Sequence, residues 1–176
     1  DWMLGTELSF KYGRWISGLV LEYLYTKYQS GPIYHDHTAT IADHLGGQDE
    51  YYNHYIYTGW QHWGQVMGNP LYRSPLYNTN GNINVANNRF VAWHLGIGGK
   101  PTDELGYRFL ATYQNGLGTY SDPFEKKEHN VSLMLEGKYE LRNDWNVAAA
   151  VGADMGRILG NKWGVQLTVA KKGLFK

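Results

Sequence analysis

Seven stretches of the chain alternate apolar and polar residues over about ten positions each, and several carry Trp, Tyr or Phe near their ends. Residues 129–141 give the clearest case. Val131, Leu133, Leu135, Tyr139 and Leu141 fall on one face, and Ser132, Met134, Glu136, Lys138 and Glu140 on the other. Successive side chains of an extended strand point to opposite sides, so one face suits hydrocarbon and the other water. The same alternation runs through residues 2–12, with Trp2, Leu4, Leu8, Phe10 and Tyr12 opposing Gly5, Glu7, Ser9 and Lys11. Gly13-Arg14 then predicts a tight turn. A second strand, residues 15–28, is apolar on both faces. Glu22 should turn away from lipid, which leaves Trp15, Leu19, Leu21, Tyr23 and Tyr25 outward.

Residues 29–87 break the alternation with scattered Gly, Pro, Asn, Asp and His, including Gly31-Pro32, Gly46-Gly47 and Asn80-Gly81, and predict one very long loop. Such a loop is out of place in a compact soluble domain and ordinary on the outer face of a membrane barrel. Alternation resumes over residues 89–98, with Val91, Trp93, Leu95 and Ile97 against Ala92, His94 and Gly96, and again over 105–115. Residues 116–127 read as a polar loop. Strands over 145–156 and 163–169 follow, the last with Trp163, Val165, Leu167 and Val169 opposing Gly164, Gln166 and Thr168, and Phe175 lies one residue from the end.

The pattern predicts an all-β chain, an antiparallel transmembrane β-barrel wall of about seven strands with one long folded extracellular loop at about residues 29–87. Short turns near Gly13, Pro101 and Asn143 would be periplasmic, and the loops at 29–87, 116–128 and Gly160 external. Seven strands beginning outside cannot close a barrel of even strand number. An open edge in lipid would leave amides unpaired. The chain therefore reads as one unit, residues 1–176, forming the C-terminal part of a larger barrel whose remaining strands come from elsewhere.

Composition narrows the choices. No window approaches the roughly 18 to 20 consecutive apolar residues of a spanning helix, and the mean hydropathy is negative, as it is for strands that show only every second residue to lipid. Lys plus Arg equals Asp plus Glu at 16 each, so there is no basic stripe for a phosphate backbone and nucleic acid is not an expected partner. The absence of cysteine excludes disulfides and thiolate metal sites. Residues 2–12 alternate instead of forming an apolar signal-peptide core, so an exported chain would be mature or truncated. Of the aromatic residues, 15 are tyrosines, which favour interfaces and sugar-binding surfaces.

The long loop concentrates the chemistry. It holds five of the seven histidines, His35, His37, His44, His54 and His62, together with Tyr51, Tyr52, Tyr55, Tyr57, Trp60 and Trp63. Flat aromatic faces beside the Gln61 and Asn69 amides and the His62 imidazole suit a polysaccharide, whose C–H faces stack while its hydroxyls need donors and acceptors. The alternative is a loop that folds over the mouth of the barrel, or plugs its lumen, and buries its own aromatics. His35-Asp36-His37 could supply metal ligands on one side of an extended segment, although a short H-x-H more often anchors a loop, and no metal or cofactor is expected. Inward charges at Glu7, Lys11, Glu22, Arg108, Glu136, Lys138, Glu140 and Asp154 would rigidify the wall or line a conduit. No serine elbow is present to suggest a hydrolase.

Gly31-Pro32-Ile33-Tyr34-His35-Asp36-His37, then Tyr57-Thr58-Gly59-Trp60-Gln61-His62-Trp63-Gly64, then Met67-Gly68-Asn69-Pro70-Leu71 resemble the Wzi capsule-assembly family, particularly its Bacteroidetes branch. The likeness spans most of the chain and is strongest over residues 29–78. It implies an outer-membrane barrel of about eighteen strands whose external loops form a lectin-like, non-enzymatic surface for exported capsular polysaccharide. Relative to that pattern the N-terminal part, with its periplasmic helical portion and most strands, is missing here. The expected polysaccharide-binding residues are Trp60, His62, Trp63, Asn69, Arg73, Asp36 and Tyr57, and the expected partners are capsular polysaccharide, outer-membrane lipid and the remaining barrel strands. Other readings are a transport barrel, a membrane-embedded hydrolase using His62 or the His35/Asp36/His37 group, and a soluble β-sandwich, since period-two alternation alone cannot separate lipid from a second sheet.

Overall fold

A computed structural model describes residues 1–28, 50–53 and 59–173. Among the described residues the protein is all-β with almost no helix. Its strands are β1 (Trp2–Ser9), β2 (Gly18–Tyr25), β3 (Gln61–His62), β4 (Gln65–Val66), β5 (Phe90–Gly99), β6 (Leu105–Gly118), β7 (Pro123–Glu140), β8 (Trp145–Gly156) and β9 (Lys162–Lys171). A four-residue helix, α1 (Glu50–Asn53), and a 3-10 turn (Pro75–Tyr77) interrupt the long connection between β2 and β5. Seven strands make one antiparallel sheet in the order β1-β2-β5-β6-β7-β8-β9, while β3 and β4 form a separate hairpin. Among the described residues β1 and β9 do not pair, so these strands do not by themselves close a barrel.

By contacts the chain divides into two units. One comprises Asp1–Met3, Leu24–Ala92 and Gln114–His129, and the other Leu4–Tyr23, Trp93–Tyr113 and Asn130–Lys176.

The second unit holds the clearest consequence of alternation. Across β7, β8 and β9 the register aligns Leu135 with Val151 and Val165, Tyr139 with Val147 and Val169, and Gly137 with Ala149 and Leu167. Directly opposed residues share a face, so these rows form one continuous apolar surface. On the other face Ser132 meets Asp154 and Lys162, and Glu136 meets Ala150 and Gln166. On β8 the apolar side is the more open one, with Trp145, Ala149, Val151 and Met155 exposed and Asn146, Ala148, Ala150, Gly152 and Asp154 half-buried, and on β9 the apolar Trp163, Val165 and Leu167 are 78%, 74% and 71% exposed. Soluble monomers rarely leave a contiguous apolar patch of this kind uncovered. On the polar face Arg108 Nε lies 2.8 Å from Glu136, and Lys138 Nζ 3.4 Å from Glu140. These pairs are largely solvent-exposed and add little stability, and they join four of the eight charges that the sequence pattern assigns to this side.

Two boundaries differ from the sequence expectation. The first hairpin does not turn at Gly13-Arg14 alone. The Phe10 amide donates to Ser17 O at 2.8 Å and the Gly13 amide to Phe10 O at 3.2 Å, so the chain reverses over all the residues between β1 and β2. A Cβ on Gly13 would stand 2.0 Å from Ile16 O, which is why only glycine fits this reversal. Tyr12 and Trp15 continue the apolar period in the sequence yet project from the turn, 89% and 74% exposed.

The second correction concerns residues 116–127, expected as a polar loop. Strand β6 instead runs on to Gly118 and β7 starts at Pro123, so only residues 119–122 connect them. On β7 this extension carries Glu125, Lys126, Lys127 and Glu128 in succession, whereas on β6 it runs through the buried Gly116 and Gly118, which carry no side chain to mark a face. Backbone pairing does not require chemically distinct faces, and a segment of glycines and successive charges shows no alternation while keeping its ladder.

Candidate functional site

The first unit carries the described part of the long connection, built on a small aromatic and amide core. Tyr52 of α1 is buried and packs edge-on against Tyr72 at 4.8 Å, and Tyr72 packs edge-on against Phe90 at 5.6 Å. Edge-to-face rings at such distances add to area burial. The Tyr52 hydroxyl donates to Met67 O at 3.2 Å, and the buried Gln114 donates from Nε2 to Leu71 O at 2.8 Å. Asn53 holds Val85 at both its amide and its carbonyl.

Asn87 is the pivot. Fully buried, it accepts from the amides of Leu117 and Gly118 at 3.1 and 3.0 Å, while its own carbonyl accepts from the Arg73 amide at 2.9 Å. Leu117 N–H also donates to Arg89 O at 2.8 Å, so Asn87→Ala would leave the buried Gly118 amide without its acceptor, a cost of about 1–3 kcal/mol. We expect a loss of about 2 kcal/mol in urea unfolding, with hydrogen-exchange protection falling first at Gly118 and less at Leu117.

On this base stands the β3–β4 hairpin. Gln61 pairs with Val66 and His62 with Gln65, leaving Trp63-Gly64 as a two-residue turn. Both turn residues have positive φ, +51° for Trp63 and +74° for Gly64, the type I′ signature. Such turns favour Asn-Gly, because a left-handed φ brings the Cβ of most residues against the following carbonyl. A tryptophan holds that position here, with its side chain 88% exposed at the apex. The hairpin is fixed at three points: Leu76 N–H to Gly64 O at 3.0 Å, Val66 N–H to Ser74 Oγ at 3.1 Å, and Gln61 Nε2 to Ile83 O at 3.1 Å. His62 is exposed and meets the Trp63 ring edge-on at 6.1 Å, and Trp60 is half-exposed. The structure therefore brings Trp60, His62 and Trp63 together on one rigid, short hairpin.

Beside the segment that Gln61 holds lies an open polar cavity of about 260 Å³. Asn78, Asn80, Asn82 and Asn84 line it, with Arg73 and Asp122. Some of these amides build the wall: Asn78 Nδ2 donates to Asn82 O and Asn84 O, Asn80 Oδ1 accepts from Asn82 N–H, and Asn82 Oδ1 accepts from Asn84 N–H. Arg73 Nη2 reaches Tyr77 O at 3.3 Å, and its buried Nε has no acceptor among the described residues. Sequence reasoning used Asn80-Gly81 only as a turn marker and missed the cavity. The signal was asparagine at every second position from 78 to 84, an amide row with no hydrophobic partner.

The other expected site residues divide. Arg73 lines the cavity, whereas Asn69 caps its own turn, Oδ1 accepting from Leu71 N–H at 3.0 Å. Asp36, Tyr57 and the His35-Asp36-His37 group lie outside the described residues, as do His44, His54, Tyr55 and Phe175. Among the described residues no cluster of three metal-ligating side chains occurs, and no helix is long and apolar enough to cross a membrane, which says nothing of a β-barrel. No protein-family model, curated protein or solved structure matches the chain.

Proposed function

We propose that this chain is part of the wall of a bacterial outer-membrane β-barrel and holds capsular or exported polysaccharide at the cell surface, as the Wzi-like residues of its long connection imply. The reading rests on Trp63. A bulky aromatic in a left-handed backbone position costs about 1–2 kcal/mol, and this one spends that energy to project into solvent from a rigid apex. Strain at an exposed aromatic supports a role in binding. Trp63 and Trp60 serve as stacking faces for sugar rings, with His62 beside them as a hydrogen-bonding group.

The membrane setting is supported by the open apolar rows of β7–β9. From Trp145 to Met155 the apolar side of β8 spans about 33 Å at 3.3 Å per residue. At the usual barrel tilt that is close to the roughly 25 Å lipid-facing band of outer-membrane barrels. Lipid covers this face, and the edges at β1 and β9 pair with strands supplied by the rest of the barrel. The protein acts as a binding surface and not as an enzyme.

The test is retention of polysaccharide by cells or proteoliposomes carrying Trp60→Ala and Trp63→Ala together. Capsule should be shed into the medium while the barrel assembles normally; retention equal to wild type would remove the assignment.

A further inference from the structure

We infer that the asparagine-lined cavity is a seat for a single neutral sugar ring, a subsite distinct from the tryptophan hairpin; the inference rests on the polysaccharide-binding reading and specifies its ligand. Three observations carry it. The first is size. At about 260 Å³ the cavity falls just below the about 300–1,000 Å³ of ordinary small-molecule pockets. It holds one ring and not a stretch of chain.

The second is the hydrogen-bonding capacity that the wall leaves unspent. Asn80 and Asn82 use their carbonyl oxygens to accept from the backbone, which leaves the Nδ2 groups with no acceptor among the described residues. Asn78 shows the reverse, with Nδ2 engaged and Oδ1 open. Asp122 takes part in its turn through its backbone, N–H to Thr119 Oγ1 and O from Thr119 N–H, so its carboxylate oxygens are open as well. The residues that line this one space thus hold both donors and acceptors. A hydroxyl both donates and accepts, and two adjacent sugar hydroxyls can give to a carboxylate while receiving from amides. A purely anionic guest would use the donors and leave the acceptors facing it.

The third is charge. Arg73 and Asp122 both line the cavity, and neither has an ion-pair partner among the described residues. The lining is electroneutral, so its field favours an uncharged guest over a uronate. The tie from Gln61 Nε2 to Ile83 O joins the hairpin to this same wall, and a chain stacked on Trp63 can place a neighbouring residue in the cavity.

The test uses the whole protein in detergent micelles and saturation-transfer NMR with methyl glucoside, methyl galactoside, methyl mannoside and glucuronate. At least one neutral glycoside should bind. Asp122→Asn, which removes a carboxylate acceptor, and Asn80→Asp, which keeps an oxygen to cap Asn82 and turns the open amide donor into a negatively charged acceptor, should each weaken it about ten-fold, the loss expected for about one hydrogen bond to a charged or buried group. Trp60→Ala/Trp63→Ala should lose polysaccharide yet keep the monosaccharide. Binding of glucuronate alone, of no probe, or of a glycoside indifferent to both cavity variants would overturn the seat. In those cases the hairpin reading stands if the tryptophan variant still sheds polysaccharide, and falls with the seat if it does not.

Discussion

Placing arginine at Val151 should prevent the protein from folding into lipid, whereas arginine at Gln166, one strand away on the opposite face, should be tolerated. Val151 lies in the middle of an apolar row between Leu135 and Val165, and all three are exposed. A cationic side chain at the midplane of a barrel's lipid face costs about 2–4 kcal/mol, a large share of a typical stability of about 5–15 kcal/mol. Gln166 already shares its face with Glu136 and Thr168, so a charge there meets water and polar neighbours. Such surface changes stay within about 0.5 kcal/mol. Urea titration in phosphatidylcholine vesicles, with gel mobility of unheated samples as the measure of folding, separates the two variants. A Val151→Arg protein as stable as wild type, or a wild type that folds fully in water without any amphiphile, would show that this face is not in lipid.

Trp63→Asn should strengthen the hairpin and abolish much of the binding. Asparagine tolerates the left-handed conformation and, followed by glycine, is the favoured type I′ pair. Relief at φ +51° should return about 1 kcal/mol to the local stability of the loop. Glycan retention should fall about 30-fold, the equivalent of about 2 kcal/mol for an exposed aromatic anchor. Opposite signs in the two measurements matter more than their size. A tryptophan kept only to hold the loop together would show the reverse pattern, with stability lost and binding following it. Hydrogen exchange across residues 61–66 reads the stability, and sedimentation of labelled polysaccharide with proteoliposomes reads the binding.

Those two residues also mark where the sequence was legible. Val151 could be assigned to its face before any coordinates, because Val147, Ala149 and Val151 repeat every second position and the environment on the two sides of the strand differs sharply. The observed register of β7, β8 and β9 keeps every one of those faces. The two-residue turn at Trp63-Gly64 was harder to see. Its flanking strands are two residues each and its apex residue is the wrong type for the turn, so no local preference announced it. Contacts from Ser74, Leu76 and Ile83 hold it in place.

The amino-acid order alone determined the strands that have one oily and one wet side, the turns between them where Asn143 and Asp144 accept positive φ, and the amphipathic wall as a whole. Only the tertiary structure decided the extension of β6 and β7, the hairpin that lifts Trp63, and the cavity between Arg73 and Asp122. The reason is physical. A period of two is written into a sequence only where the two sides of a strand carry different side-chain chemistry, while segments of glycine, asparagine and successive charges are shaped by hydrogen bonds between distant residues, as Asn87 shapes Leu117 and Gly118, and such bonds leave no period to read.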